Sequence, residues 1–274
     1  MEEMLRSVLF LMLNLPSYAL RGMKYLSLFF LITACLAAYQ QAVRNMNPAP
    51  AFVPVRNELP IYSVETSEQV VALTFDSAWG TEDLPDILAI LKKHHAPAAF
   101  FVTGEWAEKN PEAIRAIDQA GHELANHGNR HKHMPLLSGE DMAAEIQGCH
   151  DIVRQLTGKE MCLFRAPYSD WNAQVVEVAK ALGYYSINQS VDSLDWKDYG
   201  TESIIRTVCE HKDLKNGSII LLHNGAKYTR DALDRLLTGL EQKGYSFVPV
   251  SSLIYKEDYE LDHTGRQYRR ADLR

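Results

Sequence analysis

The amino-acid sequence predicts an α/β fold, in which a parallel β-sheet, closed or nearly closed, carries helices on its outside. Short apolar runs rich in Val, Ile and Phe, such as 70–77, alternate with longer segments whose apolar residues recur at helical spacing. This alternation continues for about seven strand–helix units, a rhythm typical of parallel sheets. Polar residues able to do chemistry follow several of the apolar runs, and in parallel α/β folds that edge of the sheet carries the site.

The individual elements can be placed in order. The strands are predicted at 70–77, 98–102, 122–126, 162–166, 184–191, 218–222 and 245–250. The helices between them are predicted from 84, at 111–120, 138–158, 172–183 and 201–211, and from 229 to about 243. Pro111 is a favoured first helical residue, Ser138 with Asp141 resembles a capping box, and glycines such as Gly158 follow the helix ends.

Composition and charge exclude several classes of protein. The chain of 274 residues is long enough for one large domain, and its formal net charge is −7. An acidic chain is poorly suited to a nucleic-acid partner, because phosphate binding needs a basic surface. The four cysteines include no Cys-x-x-Cys pair, so neither a disulfide framework nor a zinc ribbon is indicated.

The first 45 residues differ from the rest. Met23-Lys24 followed by an apolar run resembles a signal peptide, which makes Met23 a candidate true start. Residues 32–35 resemble a bacterial lipoprotein cleavage box with Cys35 as the lipidated residue. Cleavage near Ala38 and an uncleaved anchor are the alternatives, and all three predict an extracytoplasmic protein that is secreted or held at the membrane by lipid or helix. A buried N-terminal helix is the less favoured interpretation.

Four segments are predicted. Residues 1–45 are the signal or anchor segment, and 46–66 form a proline-rich linker. Residues 67–255 form the predicted α/β domain. Residues 256–274 are charged and without periodicity, which predicts a polar tail on the surface or a disordered one.

Six polar residues lie at corresponding strand ends and are candidates for chemistry. They are Asp76, His127, His131, Arg165, Asp192 and His223. Each also has an ordinary interpretation, since acids are common in turns, surface histidines are common in polar loops, and a lone His after an aliphatic run is usually a core residue. The i, i+4 spacing of His127 and His131 nevertheless predicts two imidazoles on one side of a helical turn, a usual metal-ligand geometry.

The segments around these residues resemble the five motifs of the NodB-homology polysaccharide deacetylases, carbohydrate esterase family four, in the order of that family. The matching segments are Thr74-Phe75-Asp76, 126–131, 164–168, 192–196 and 219–223. The resemblance covers about residues 70–250. It implies a distorted (β/α) barrel with about seven parallel strands and a metal-dependent hydrolase acting on N-acetylated sugars.

The resemblance also implies roles for individual residues. His127 and His131 bind a divalent cation, Zn²⁺ or similar, which activates a water and polarises the acetamide carbonyl. Asp76 is the general base and Arg165 orients it. His223 is the general acid, and Asp192 holds its imidazole. For the substrate, the backbone N–H of Tyr168 meets the oxyanion, and Trp196 and Leu221 line a slot for the acetyl methyl group.

Ser77 departs from the family pattern, which usually has a second Asp at this position as a metal ligand. A neutral hydroxyl is a weaker ligand, so a more weakly bound metal is expected, with Asp76 or water in the open position. Three hypotheses remain from the sequence. The leading one is a deacetylase of an N-acetylglucosamine-containing cell-wall polysaccharide, and the others are a catalytically weakened glycan-binding member and an O-acetyl-polysaccharide esterase.

Overall fold

A computed structural model of the chain describes residues 58–270, which form one compact unit. The predicted signal or anchor segment, with Cys35, and most of the predicted linker lie outside the described residues. Within 58–270, no helix has both the length and the hydrophobicity needed to cross a membrane.

The described residues alternate between strands and helices. The strands are β1 (Ser63–Val64), β2 (Val70–Ser77), β3 (Ala98–Val102), β4 (Glu123–Asn126), β5 (Leu163–Phe164), β6 (Tyr185–Ser186), β7 (Val191–Asp192), β8 (Ser218–His223), β9 (Ser246–Phe247), β10 (Tyr259–Leu261) and β11 (Arg266–Arg269). The helices are α1 (Leu84–Lys93), α2 (Gly104–Lys109), α3 (Pro111–Gln119), α4 (Gly139–Thr157), α5 (Ala173–Ala181), α6 (Thr201–Cys209), α7 (Thr229–Gln242) and α8 (Val250–Leu253).

All of these strands belong to one curled sheet with a parallel centre. The order across it is β10-β11-β1-β8-β2-β3-β4-β5-β6, with β7 pairing with β8 and β9 pairing with β2. The pairs from β8 through β2, β3, β4 and β5 to β6 are all parallel, whereas β1 runs antiparallel to β8. The predicted fold class, a distorted (β/α) barrel, is therefore confirmed.

The sequence of β2 explains its central place. All of its eight residues are buried, as expected for a strand covered on both faces. Because side chains alternate along a strand, Leu73 and Phe75 pack into the cluster beneath the helices, and Ala72 packs into a second cluster inside the curl. Thr74 and Asp76 share the inner face with Ala72, so β2 carries its acid into the mouth of the curled sheet.

The C-terminal segment does not behave as predicted. The prediction of a surface or disordered tail is wrong as far as Arg270, because β10 and β11 extend the sheet beyond β1. Arg266 is buried, and its guanidinium donates to Glu65 Oε2 at 2.7 Å and Ser63 Oγ at 3.2 Å. The Gln267 amide bonds both the N–H and the C=O of Tyr255, so polar residues are buried here with partners.

Three further differences concern element boundaries. The predicted strand 184–191 is two short strands, β6 and β7, and the predicted strand 245–250 shortens to β9 before the turn of α8. Helix α2 was not predicted. Thr103 caps it by accepting from the backbone N–H of Trp106 at 3.2 Å.

Candidate active site

The carboxyl ends of the central strands bring the candidate residues to one edge of the sheet. Asp76 at the end of β2 lies directly opposite His223 at the end of β8 in the parallel register. His127 follows β4 and Arg165 follows β5, and the Arg165 N–H donates to the carbonyl of Asn126 at 2.9 Å. Residues distant in sequence therefore share one mouth because the strands are parallel.

Asp76 and Arg165 form a buried ion pair at the bottom of this mouth. The Nη1 of Arg165 donates to Asp76 Oδ1 at 2.6 Å and to Thr74 Oγ1 at 3.0 Å, and the guanidinium lies 4.2 Å from the ring centroid of Phe101. Burial alone would raise the pKa of Asp76, but the charge and hydrogen bond of Arg165, together with the neighbouring His127 and His223, outweigh it and hold that pKa below its usual value. The carboxylate is thus kept ionised and in a fixed orientation.

His127 lies beside this carboxylate and is fixed by its other ring nitrogen. Its Nδ1 lies 2.9 Å from the carbonyl oxygen of Arg165, and since a carbonyl only accepts, Nδ1 carries the proton. Nε2 then has a free lone pair, 3.5 Å from Asp76 Oδ2. Burial lowers the pKa of His127, which favours the neutral ring.

His131 approaches His127 from a loop and not from a helical turn. The prediction that the i, i+4 spacing places both rings on one side of a helix is wrong, because residues 127–133 are non-helical and His131 has a φ of +53°. The two rings still meet, edge to face, with centroids 5.1 Å apart. Burial lowers the pKa of His131 to about 4, so this ring is also neutral near pH 7.

His223 is held by Asp195. The prediction that Asp192 orients His223 is wrong in this structure, because Asp192 Oδ1 accepts from the backbone N–H of Leu194 at 2.8 Å. The fully buried Asp195 contacts Nδ1 of His223 with Oδ1 at 2.7 Å, and its Oδ2 accepts from the His223 backbone N–H at 2.7 Å and the Thr229 hydroxyl at 2.6 Å. Burial would lower the pKa of His223, but hydrogen bonding and charge from Asp195 raise it above its usual value.

Aromatic side chains surround the mouth. Tyr168, at a φ of +61°, is 58% exposed and packs against His131, with ring centroids 4.4 Å apart. Trp196 is 49% exposed, and Leu221 is buried. Trp79, which sequence reasoning missed, is 46% exposed and stacks on the His223 ring at 5.1 Å. Its place directly after the motif containing Asp76 was the available signal.

The donors near Asp76 can be compared with the needs of a divalent cation. Two neutral imidazoles and a carboxylate are suitable ligands for such a cation. The lone pair of His127 Nε2 faces Asp76 Oδ2 at 3.5 Å, and both atoms are acceptors, so a cation can satisfy both. Ser77 Oγ is buried and has no hydrogen-bond partner in the part of the chain that the structure describes. Among residues 58–270, however, no group of three or more His, Cys, Asp or Glu side chains is arranged to hold a metal ion. The donors beside Asp76 therefore suit a divalent cation by their chemistry and not by a ready-made arrangement.

Comparison with known proteins identifies the family. The model of the polysaccharide deacetylase family matches residues 63–187. The chain is 30% identical over 203 residues to the peptidoglycan-N-acetylmuramic acid deacetylase PdaA of Bacillus subtilis, covering 73% of this chain and 77% of the relative. It is 33% identical over 198 residues to a peptidoglycan-N-acetylglucosamine deacetylase of Bacillus cereus, covering 70% and 92%. The chain belongs to the polysaccharide deacetylase family, carbohydrate esterase family 4, as the motifs predicted.

A solved structure shares the fold and bears on the function. It is a mutant, with restored enzymatic activity, of a family 4 pseudoenzyme from Bacillus anthracis. The TM-score is 0.68 at 32% identity, with 72% of this chain and 71% of the other covered. The family thus includes members described as enzymes and a member described as a pseudoenzyme.

Proposed function

We propose that this protein removes acetyl groups from N-acetylated sugars of peptidoglycan or a related cell-wall polysaccharide. One observation carries the proposal. Asp76 and His223 face each other across paired strands, and their surroundings shift their pKa values in opposite directions. A carboxylate whose ionised form is favoured, beside an imidazole whose protonated form is favoured, has the properties of a general base beside a general acid.

Asp76 is the general base in this proposal. The Arg165 guanidinium occupies Asp76 Oδ1, which leaves Oδ2 on the side of His127 as the free proton acceptor. A water activated on that side would give its proton to Oδ2 as it attacks the acetamide carbon. Because Arg165 is itself buried, the carboxylate has little freedom to rotate away.

A divalent cation would be held by His127 and His131, with Ser77 as the neighbouring oxygen donor and water in the remaining positions, so that Asp76 Oδ2 stays free as the base. When bound, such a cation lowers the pKa of a water molecule and polarises a carbonyl oxygen. The protein prepares both imidazoles for this role by keeping them neutral and by fixing the orientation of His127 through the Arg165 carbonyl. This donor set supports metal dependence as part of the proposal.

His223 is the general acid. Its Nε2 donates the proton to the leaving amine, since its Nδ1 is bound to Asp195. Trp79 covers the ring of His223, and we assign the other exposed aromatics, Tyr168 and Trp196, to binding of the sugar and acetyl group. Leu221 supplies an apolar surface at the end of β8 for the acetyl methyl group.

A glycan-binding protein without hydrolytic activity is the second candidate. Ser77 favours it, because this residue replaces a charged ligand expected from the family pattern and its hydroxyl has no hydrogen-bond partner among the described residues. The similarity to a family 4 pseudoenzyme supports the same alternative. Against it, the acid and the base each retain an oriented, charged partner, Asp195 and Arg165.

Acetate release from defined substrates tests the proposal. The full chain is assayed on peptidoglycan, chitin oligomers and acetylated xylan, with chelator and with added Zn²⁺ or Co²⁺. We expect metal-stimulated release from peptidoglycan or chitin oligomers. Release from xylan alone would indicate an O-acetyl esterase, and binding without release at any metal concentration would indicate the glycan-binding alternative.

We also propose that the protein works outside the cytoplasm, held at the membrane through a lipid on Cys35 or an uncleaved N-terminal helix. The signal-like segment from Met23 and the cell-wall substrates named for its relatives support this location. Mass spectrometry of the mature N-terminus is the test. An unmodified terminus beyond Ala38, found in the medium, would contradict the anchor and leave the secreted form.

A further inference from the structure

The loop between β4 and α4 carries both imidazoles of the candidate metal site. Its backbone polar groups form hydrogen bonds to two different helices. On one side, the carbonyls of Gly128 and Asn129 accept from the backbone N–H groups of Gly104 at 3.0 Å and Glu105 at 2.9 Å, at the start of α2. On the other side, the N–H groups of Asn129 and Arg130 point at α4. The loop therefore has a fixed conformation although it is not helical.

Glu145 on α4 receives both of these N–H groups. Its Oε2 accepts from Asn129 N at 3.0 Å and from Arg130 N at 2.7 Å, and its Oε1 lies 3.3 Å from Lys132 Nζ. The residue is 6% exposed and lies on the buried face of the helix with Met142, Ile146 and Cys149. An acid in an apolar stripe is unexpected for packing alone, and here it satisfies buried backbone donors.

The side chain of Asn129 lies between helices α2 and α4 and holds the same loop in place. A Cβ at Gly104 would overlap the Asn129 side chain, and a Cβ at Gly148 would lie 3.0 Å from its Nδ2. Glycine at these two positions makes room for the amide between α2 and α4. The backbone on either side of Asn129 is thereby set where Glu145 can reach it.

We infer that Glu145 is a positioning residue for the metal site, holding the 128–131 loop so that His131 meets His127. This inference rests on the proposed function, because a positioning role for Glu145 presupposes that His127 and His131 bind a metal ion. His131 stands at a φ of +53°, a left-handed conformation that needs surrounding contacts to hold it in a non-glycine residue. Glu145 acts through the backbone and touches neither imidazole.

The test compares variants of the full chain. Glu145→Ala removes the acceptor, and Glu145→Gln keeps one oxygen that can accept both N–H groups. Glu140→Ala is the matched control, since Glu140 is an exposed acid in the first turn of the same helix. Lys132→Met removes the partner of Oε1 but leaves the loop contacts intact.

Two measurements are made, and the first needs no metal. Amide hydrogen exchange of the metal-free protein should show Asn129 and Arg130 exchanging at least about tenfold faster in Glu145→Ala, with strands β2 and β8 unchanged. Titration with Co²⁺, followed by visible absorption, should show about 10–100-fold weaker binding, the range seen when a group that orients metal ligands is lost. Glu145→Gln should restore most of both properties, and both controls should match the wild type.

Unchanged exchange at Asn129 and Arg130 in Glu145→Ala would overturn the inference. So would faster exchange throughout the sheet in both Glu145 variants, which would indicate a general contribution to stability. If the wild type binds no Co²⁺, the proposed metal function fails, and the exchange data still decide whether Glu145 holds the loop.

Discussion

Replacing Asp195 with Asn tests the assignment of the general acid. Asp195 is fully buried and makes three short contacts through its two oxygens, to His223 Nδ1, to the His223 backbone N–H and to the Thr229 hydroxyl. An amide offers one acceptor oxygen and one donor NH₂ in their place. With the amide oxygen on the His223 backbone N–H and the Thr229 hydroxyl, the NH₂ faces Nδ1 of His223, which costs about 1–3 kcal/mol of stability as long as Nδ1 carries its proton.

The effect on catalysis follows from the proton on His223. If the new amide donates to Nδ1, the ring carries its proton on Nε2 as a neutral tautomer, and the imidazolium loses its charged partner. We expect deacetylation to fall by about 10²–10⁴-fold, the usual contribution of a general acid. Burial then lowers the pKa of His223 against only the weaker charges of Asp76 and Asp192, so the alkaline limb of the pH profile of kcat/KM should move to lower pH.

Stability should change with pH in a defined direction. The pKa of His223 is raised in the folded protein, so its ion pair with Asp195 contributes fully below the unfolded pKa of about 6.5 and is lost as pH rises through the folded value. The free energy of unfolding lost in Asp195→Asn should therefore be larger at pH 6 than at pH 9. Urea unfolding at both pH values measures this difference.

Asp192→Asn is the matched control, because Asp192 only accepts a local backbone N–H, which an amide oxygen can also do. We expect its activity and its alkaline limb to stay close to those of the wild type. The reasoning is refuted if Asp192→Asn loses as much activity as Asp195→Asn, or if Asp195→Asn keeps the wild-type pH profile.

Three other predictions concern the base and the metal site. Asp76→Asn should lose about 10²–10⁴-fold in activity with an unchanged circular dichroism spectrum, and wild-type turnover would contradict its role as base. Ser77→Asp should bind Zn²⁺ more tightly than the wild type in calorimetry, because a carboxylate adds a charged ligand beside His127; equal affinities would mean that another group already fills that position. Arg165→Met alone should lower the free energy of unfolding, measured with urea, by about 3–5 kcal/mol, because the Asp76 charge is left buried without its partner. The double variant Asp76→Leu/Arg165→Met should recover most of that stability but have no activity. A double variant as unstable as the single one would contradict the argument.

Most of the fold could be predicted because most of its strands and helices are marked by signals in the local sequence. The strand Ala98–Val102 was predicted with its observed bounds, and Pro111 and Ser138 lie at the starts of α3 and α4 as their chemistry indicates. The short helix α2 and the strands β10 and β11 could not be found in this way. They depend on long-range partners, as when the guanidinium of Arg266 finds Glu65 some two hundred residues earlier.

The sequence was sufficient to place the candidate residues at the strand ends, but not to predict which side chains contact one another. Asp192 is the last residue of β7 and Asp195 comes three residues later, and spacing cannot tell which carboxylate reaches His223 across the sheet. The choice is made by Leu194, whose φ of +55° turns the chain so that Asp195 points under the end of β8. The spacing of His127 and His131 likewise predicted their meeting but not its cause, which lies in a loop held by contacts from α2 and α4.

The energetics of the mouth favour a protein built for chemistry. Within residues 58–270, the Nε of Arg165 and the Oγ of Ser77 are both buried without a hydrogen-bond partner. Arg165 lies in the centre of the sheet, where apolar residues would pack with less loss of hydration. Stability alone does not explain such groups, and in folded proteins they concentrate at functional sites. Binding of a neutral sugar would not need an ionised Asp76 either, since exposed aromatic rings and neutral hydrogen bonds are sufficient. An ionised base and a protonated acid, each fixed by its own buried partner, are what hydrolysis of an acetamide requires. In the proposed mechanism, Ser77 changes the ligands available to a cation, and it leaves both proposed proton-transfer groups in place.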